Sequence, residues 1–156
     1  MRDRRFVAVH RGGSLDRERH RLLAAWAADC AEHVMTLFET YSADERPRHA
    51  IETARAWVTG HAAVGTAQKA AAAAHAAARG VASGPAMAVA RAAGHAVATA
   101  HMADHSLGAL LYALKAVKAA GGSVDAERRW QMKRLPQAVH GLVVSALESP
   151  RLKRFA

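Results

Sequence analysis

The chain has 156 residues, enough for one domain with a buried core, and its single cysteine, Cys30, excludes an internal disulfide. Hydrophobic residues make up 51% of the chain but aromatic residues only 5%, and alanine supplies much of the apolar fraction, so the composition favours closely packed helices over sheets. The net charge is +9. Residues 1–13 lack the apolar stretch of a secretory signal, and no uncharged run is long enough to span a bilayer. We therefore expect a cytoplasmic protein without a membrane segment.

Apolar spacing predicts three helices in the first half of the chain. The first covers about 15–41, and its buried stripe recurs every three or four residues at Leu22, Trp26, Cys30, Val34, Leu37 and Tyr41. The second covers about 45–58 and is followed by Gly60, a residue type that often ends helices. The third, at about 62–79, consists mostly of alanine and stops at Gly80.

The segment at about 85–103 is predicted to be the central helix of the domain. Ser83 and Pro85 mark its start, and its only charged side chain is that of Arg91. A helix that is apolar on all sides is usually buried on all sides. A leucine-striped helix follows at about 105–119, and because no glycine or proline separates the two, one continuous helix and two separate helices are both open.

Two shorter helices, at about 124–134 and 137–148, complete the series. The sequence therefore predicts an all-α fold in which six or seven helices form an orthogonal array or irregular bundle around the central alanine-rich helix. We place this single helical domain at 14–149, with a basic N-terminal segment at 1–13 and a basic C-terminal tail at 150–156.

Five of the ten histidines lie in the nearly uncharged middle of the chain, at His61, His75, His95, His101 and His105. On a continuous helix His101 and His105 project from one face, with Asp104 about 60° away around the axis. Two histidines and a carboxylate can bind a divalent transition metal, and a distant helix would supply a further ligand, for which His75 and His33 are candidates. The alternative, which we favour, is that these histidines fill gaps between alanine-rich helices and hydrogen-bond to carbonyls or hydroxyls, with no cofactor.

Cys30 lies beside Asp29 and His33 in the first predicted helix, which raises the hypothesis of a cysteine nucleophile. However, Cys30 lies on the predicted buried stripe, and a cysteine and a histidine three residues apart on one helix rarely reach the geometry of a nucleophile and its base. We favour an ion pair between Asp29 and His33, four residues apart, and predict no catalytic residue.

Basic residues surround Trp130 in the helix at 124–134. Tryptophan and arginine often anchor protein interfaces, so we predict Arg128, Trp130 and Arg134 as partner-binding residues. Two alternatives are open: Trp130 anchors an amphipathic helix to the core, or its ring stacks on a base of a nucleic acid.

The positive charge is concentrated at the two ends of the chain. Residues 1–21 carry a net charge of +4 and residues 128–156 a net charge of +6, which leaves −1 for the residues between them. Because domain termini often lie close together, the ends can form one basic patch, and separate solvated termini are the alternative. A basic patch also supports a third functional hypothesis, non-specific binding of nucleic acid, for which we find no motif beyond the charge.

Several stretches of the chain resemble a known family. The most specific is GHAVATAHMADH at 94–105, and LLAAWAADCAEHVMTLFE at 22–39 and ERRWQMKRLP at 127–136 extend the resemblance. Over about 15–147 the chain resembles the Imm-5-like family of immunity proteins, which are small helical proteins of bacteria. The resemblance implies a non-enzymatic cytoplasmic protein that binds and neutralises a cognate toxin encoded beside it, and it carries over no functional residues. A toxin with an acidic surface would suit the basic charge.

Overall fold

The structure is a computed structural model that describes residues 2–153. In that range the regular elements are helical, apart from one isolated β-bridge between Ala8 and Leu15. Two 3₁₀ turns, Arg4–Phe6 and Val9–Arg11, precede the α-helices. These are α1 (Arg17–His33), α2 (Thr36–Glu39), α3 (Arg46–Val58), α4 (Val64–Arg79), α5 (Gly84–Ala98), α6 (His105–Ala119), α7 (Val124–Arg134), α8 (Gln137–Leu147) and α9 (Pro150–Lys153).

The all-α prediction is confirmed. The seven longer helices correspond to the seven predicted segments, and α2 and α9 are single turns. Met1 and residues 154–156, which belong to the predicted N-terminal segment and C-terminal tail, lie outside the described residues. Within residues 2–153 no helix combines the length and the hydropathy needed to cross a bilayer.

Side-chain caps fix the start of three helices. The Asp16 carboxylate accepts a hydrogen bond from the backbone N–H of Arg19 at 2.8 Å and begins α1. The hydroxyls of Ser83 and Ser123 cap α5 and α7 in the same way, at 3.3 and 3.1 Å from the N–H three residues further on. These starts depend on local hydrogen bonds, which explains why cap residues in the sequence predict them closely.

The helix α5 lies at the centre of the fold, as predicted. It packs against α1, α2, α3, α4 and α6, and ten of its residues are buried. Because alanine has a small side chain and glycine has none, the neighbouring backbones approach closely. Gly84, for example, lies against Ala119 near the far end of α6. Since His95 meets His105 at the other end of the pair, α5 and α6 run antiparallel.

The predicted end of the central helix at 103 is wrong, because α5 ends at Ala98 and α6 begins at His105. The intervening residues form turns in which the hydroxyl of Thr99 donates to the carbonyl of His95 at 3.1 Å. This connection reverses the chain so that α6 packs along α5. The segment 85–119 is therefore two helices.

The predicted helix at 15–41 is also interrupted. It ends at His33, and after Val34 and Met35 the chain resumes as the single turn α2. The break accompanies burial of Val34, Met35 and Phe38, all of which are at most 2% exposed. The prediction that Tyr41 is buried is wrong, because its side chain is 55% exposed beyond the end of α2.

The buried side chains form two clusters. One is alanine-rich and surrounds α5, whereas the other holds most of the larger side chains, including Leu23, Trp26 and Leu110. Phe6, in the N-terminal segment, belongs to the second cluster and is 3% exposed. The neighbouring Arg5 donates to the Ser145 hydroxyl of α8 at 2.6 Å, so the two ends of the described chain meet.

Candidate functional site

Four histidines form a continuous row of ring contacts that runs from α4 across α5 to the start of α6. His75 of α4 meets His95 of α5 edge to face, with ring centroids 5.3 Å apart. His95 in turn contacts His105 at the start of α6, with centroids 5.2 Å apart, and His105 contacts His101 at 5.4 Å. We call these four residues the histidine row.

Two glycines make room for the histidine row. A Cβ atom added at Gly94 would lie 2.7 Å from Cε1 of His75, and one added at Gly108 would lie 2.5 Å from Nδ1 of His95. Both distances are far below van der Waals contact, so neither position accepts even alanine unless an imidazole moves. The glycines thus explain how helices otherwise rich in alanine accommodate these rings.

Hydrogen bonds determine some of the imidazole protonation states. An Arg91 guanidinium N–H donates to Nδ1 of His75 at 3.1 Å, and because a guanidinium only donates, the proton of a neutral His75 is on Nε2. Nδ1 of His95 lies 3.1 Å from Nδ1 of His105, so one of these two nitrogens donates and the other presents its lone pair.

The histidine row is held in the uncharged form. Burial, followed by the positive charge on His105, lowers the pKa of His95 from its usual 6.5 to about 3. Burial is also the largest cause that lowers the pKa of His75, His101 and His105, and Arg91 adds to the effect at His75. Near neutral pH the row therefore offers neutral nitrogens that can accept hydrogen bonds or bind a metal.

Two cavities lie beside the histidine row. The smaller, of about 540 Å³, is lined by His95, His105 and Tyr112, and Tyr112 stacks on His95 with centroids 5.2 Å apart. The larger, of about 770 Å³, is lined in part by His101. An ion pair between Arg2 and Asp104, with Nε and Oδ2 3.0 Å apart, borders both cavities.

The structure places the predicted metal ligands close together but gives each another contact. His101 touches His105, and Asp104 pairs with Arg2. Of the two candidates for a further ligand, His75 contacts His95, whereas His33 pairs with Glu127 on another side of the fold. Within residues 2–153 no group of three or more histidine, cysteine, aspartate or glutamate side chains is arranged to hold a metal.

Sequence reasoning missed the approach of His95 to His105. The sequence places His95 and His105 ten residues apart in two predicted helices, and the contact forms because these helices are antiparallel. The glycine at 108 is the signal that could have suggested it, since a glycine inside a leucine-striped helix often marks a close approach of another group.

The predicted partner-binding residues lie on α7 and its contact with α1. The Trp130 ring stacks on the His33 imidazole, with centroids 3.6 Å apart and planes 5° from parallel, and the Arg134 guanidinium lies 4.9 Å from the centre of the indole. Arg134 also approaches Asp29 at 3.8 Å, and Arg128 approaches Asp125 at 3.6 Å. The indole is half-buried, so part of it faces outward from a fixed position.

The surroundings of Cys30 do not form a nucleophilic site. Its thiol is 0% exposed, and burial is the largest cause that raises its pKa well above the usual range. The favoured pair of Asp29 with His33 is wrong: Asp29 accepts from Arg55 at 3.0 Å, and His33 approaches Glu127 at 2.8 Å. Each group finds a closer partner on another helix than on α1.

Comparison with known proteins identifies the family. The model of the family described as "Imm-5 like putative immunity protein" matches residues 13–138, from the start of α1 into α8, and the chain belongs to this family. No curated protein matches the chain, and no solved structure matches it either.

Proposed function

We propose that this member of the Imm-5 like family is a non-enzymatic cytoplasmic binding protein that neutralises a cognate bacterial toxin by covering its surface. The observation that carries the proposal is the extent of the family match, which includes α1 to α7, the whole alanine-rich cluster and most of the second buried cluster. The mechanism is steric: rigid helices present fixed side chains to the toxin, and no chemical step is required.

The surface that we propose for binding is the outer side of α7 around Trp130, Arg128 and Arg134. Stacking on His33 and the nearby Arg134 guanidinium hold the indole in one orientation before a partner arrives. An anchor that is already ordered loses little conformational entropy on binding, which favours affinity. Tryptophan and arginine are also the residue types most often found at interface hot spots.

Co-expression with the protein encoded next to this one tests the function. We expect the neighbouring protein to arrest growth when expressed alone, and co-expression of this chain to restore growth through a complex that purifies intact. Trp130→Ala should weaken the complex at least tenfold, whereas Tyr41→Ala, which removes an exposed aromatic ring beyond the end of α2, should leave it unchanged. A neighbour without toxicity would contradict the function; a tight complex insensitive to Trp130→Ala would contradict only the surface.

A second candidate function, binding of a divalent transition metal, is supported by the pair of His95 and His105. Their Nδ1 atoms lie 3.1 Å apart, and a metal bound by both would take the place of the proton that one of them donates to the other. The geometry thus favours His95 as the partner of His105, with His101 and Asp104 beside them.

Calorimetric titration with Zn²⁺ or Ni²⁺, together with elemental analysis of the purified protein, tests this candidate. We expect one metal ion per chain, lost in His105→Ala and retained in His140→Ala, which removes an exposed histidine of α8. Absence of metal in both measurements would reject it.

A further inference from the structure

The larger cavity is a cleft between four parts of the chain. The N-terminal segment and the first turn of α1 form one wall, and the end of α3 and the connection between α5 and α6 form the other. Its volume of about 770 Å³ is typical of sites for small ligands. We call it the arginine cleft and define it by Arg11, Arg17, Arg21, Trp57 and His101.

The positive charge in the arginine cleft is not neutralised by the protein. Within residues 2–153 the guanidiniums of Arg11, Arg17 and Arg21 make no ion pair with a carboxylate. The two acidic side chains that line the cleft are engaged elsewhere: Asp16 pairs with Arg19, and Asp104 with Arg2. Arg21 is half-buried, whereas Arg11 and Arg17 are exposed.

A buried nitrogen in the cleft also lacks a partner. Nδ1 of His101 is inaccessible to solvent and makes no hydrogen bond within the described part of the chain, although buried polar atoms are normally satisfied. Arg11 lies near enough to this ring and to His20 that its charge, after the larger effect of burial, lowers the pKa of both. An anion placed beside Arg11 would offset this positive charge near both rings.

The walls of the cleft are apolar. Trp57 lies beside the His20 ring, with centroids 4.8 Å apart, and Val9 and Val64 remain 58% and 39% exposed at the rim. A ligand that fits this surface needs an anionic group for the guanidiniums and an apolar or aromatic body for the walls. Three guanidiniums carry more positive charge than one carboxylate can balance. Their planar N–H donors form paired hydrogen bonds with phosphate oxygens.

We propose that the arginine cleft binds a small phosphorylated ligand of the nucleotide type, with its phosphates on Arg11, Arg17 and Arg21 and its aromatic body against Trp57. This site lies apart from the α7 surface, and the proposal does not depend on toxin neutralisation. The bound phosphate supplies counter-charge to guanidiniums that make no ion pair with a carboxylate within the described residues.

Calorimetry on the full chain at low salt tests the proposal, with pyrophosphate, ATP and citrate as probes. We expect pyrophosphate and ATP to bind with one site per chain, ATP more tightly than pyrophosphate, and citrate at least tenfold more weakly than either. Arg17→Gln, at an exposed position, should weaken ATP binding at least tenfold, and Arg21→Gln should do the same. Arg129→Gln, which removes an exposed arginine of α7 outside the cleft, is the matched control and should change nothing.

Two further measurements separate the cleft from general basic charge. Trp57→Phe should abolish the ATP-induced change in tryptophan fluorescence, and ATP bound at one site per chain should retain measurable affinity at about 150 mM salt. Citrate binding equal to that of pyrophosphate would overturn the phosphate assignment. ATP binding that Arg17→Gln and Arg21→Gln leave unchanged would overturn the site. The site would also be overturned if the chain bound phosphate groups only in single-stranded DNA, in an association that weakens with added salt.

Discussion

At the residue scale, the histidine row links the stability of the fold to pH. The pKa of each of the four imidazoles is lower in the folded chain than the usual 6.5, mainly because of burial, so the unfolded chain takes up protons at a pH at which the folded chain does not. The resulting stability is complete above pH 6.5 and is lost as the pH falls. For His95 the loss continues down to about pH 3.

We therefore expect the free energy of unfolding to fall between pH 7 and pH 5. Each histidine that stays neutral in the folded chain lowers the free energy of unfolding by about 1.4 kcal/mol for each pH unit, once the pH is well below 6.5. Urea denaturation at several pH values measures the slope, and His95→Gln should reduce it by about the contribution of one proton. His140→Gln, at an exposed position on α8, should not change the slope. A slope that His95→Gln leaves intact would contradict the assignment of a neutral His95.

At the element scale, the antiparallel pair of α5 and α6 depends on Gly108. An alanine there would place its Cβ 2.5 Å from Nδ1 and 2.7 Å from Cγ of His95, so the ring would have to move. We expect Gly108→Ala to destabilise the protein by about 1–3 kcal/mol in urea denaturation, although alanine is the better helix former.

The matched control is Gly141→Ala in α8, where an added Cβ meets nothing within 4 Å. Because only the helix propensity changes there, this variant should be more stable than the native chain by up to about 1 kcal/mol. In a double-mutant cycle, His95→Ala should remove most of the cost of Gly108→Ala. If Gly108→Ala stabilises the protein as Gly141→Ala does, His95 does not occupy this space.

The sequence predicted elements well and contacts between elements poorly. The single charge in α5 was enough to predict its central position, and Ser83 located the start of this helix. The end of α5 at Ala98 could not be predicted, because the turn at 99–104 contains neither glycine nor proline and depends on the packing of α6. The contact of His95 with His105 could not be predicted for the same reason, because it forms only when α5 and α6 pack in antiparallel directions.

At the scale of the whole molecule, the structure sorts charge into different regions. Three acidic side chains, two in the last two turns of α1 and one in α2, are paired with arginines of α3: Arg48 with Glu32 and Glu39, and Arg55 with Asp29 and Glu32. Such exposed pairs contribute little stability, but they cancel negative charge locally. The positive surplus is divided between the place where the two chain ends meet, with Arg2 and Arg151, and the helix α7, with Arg128, Arg129, Lys133 and Arg134.

The meeting of the two ends predicts that the N-terminal segment contributes to global stability. Phe6 is 3% exposed among the leucines of the second buried cluster, so Phe6→Ala should lower the free energy of unfolding by about 3 kcal/mol. Val9→Ala, in the same segment but 58% exposed, should change it by less than about 0.5 kcal/mol. Urea denaturation followed by circular dichroism measures both. If both variants had equally small effects, the N-terminal segment would be a solvated extension. In that case neither the contact between the basic ends nor the wall of the arginine cleft would persist in solution.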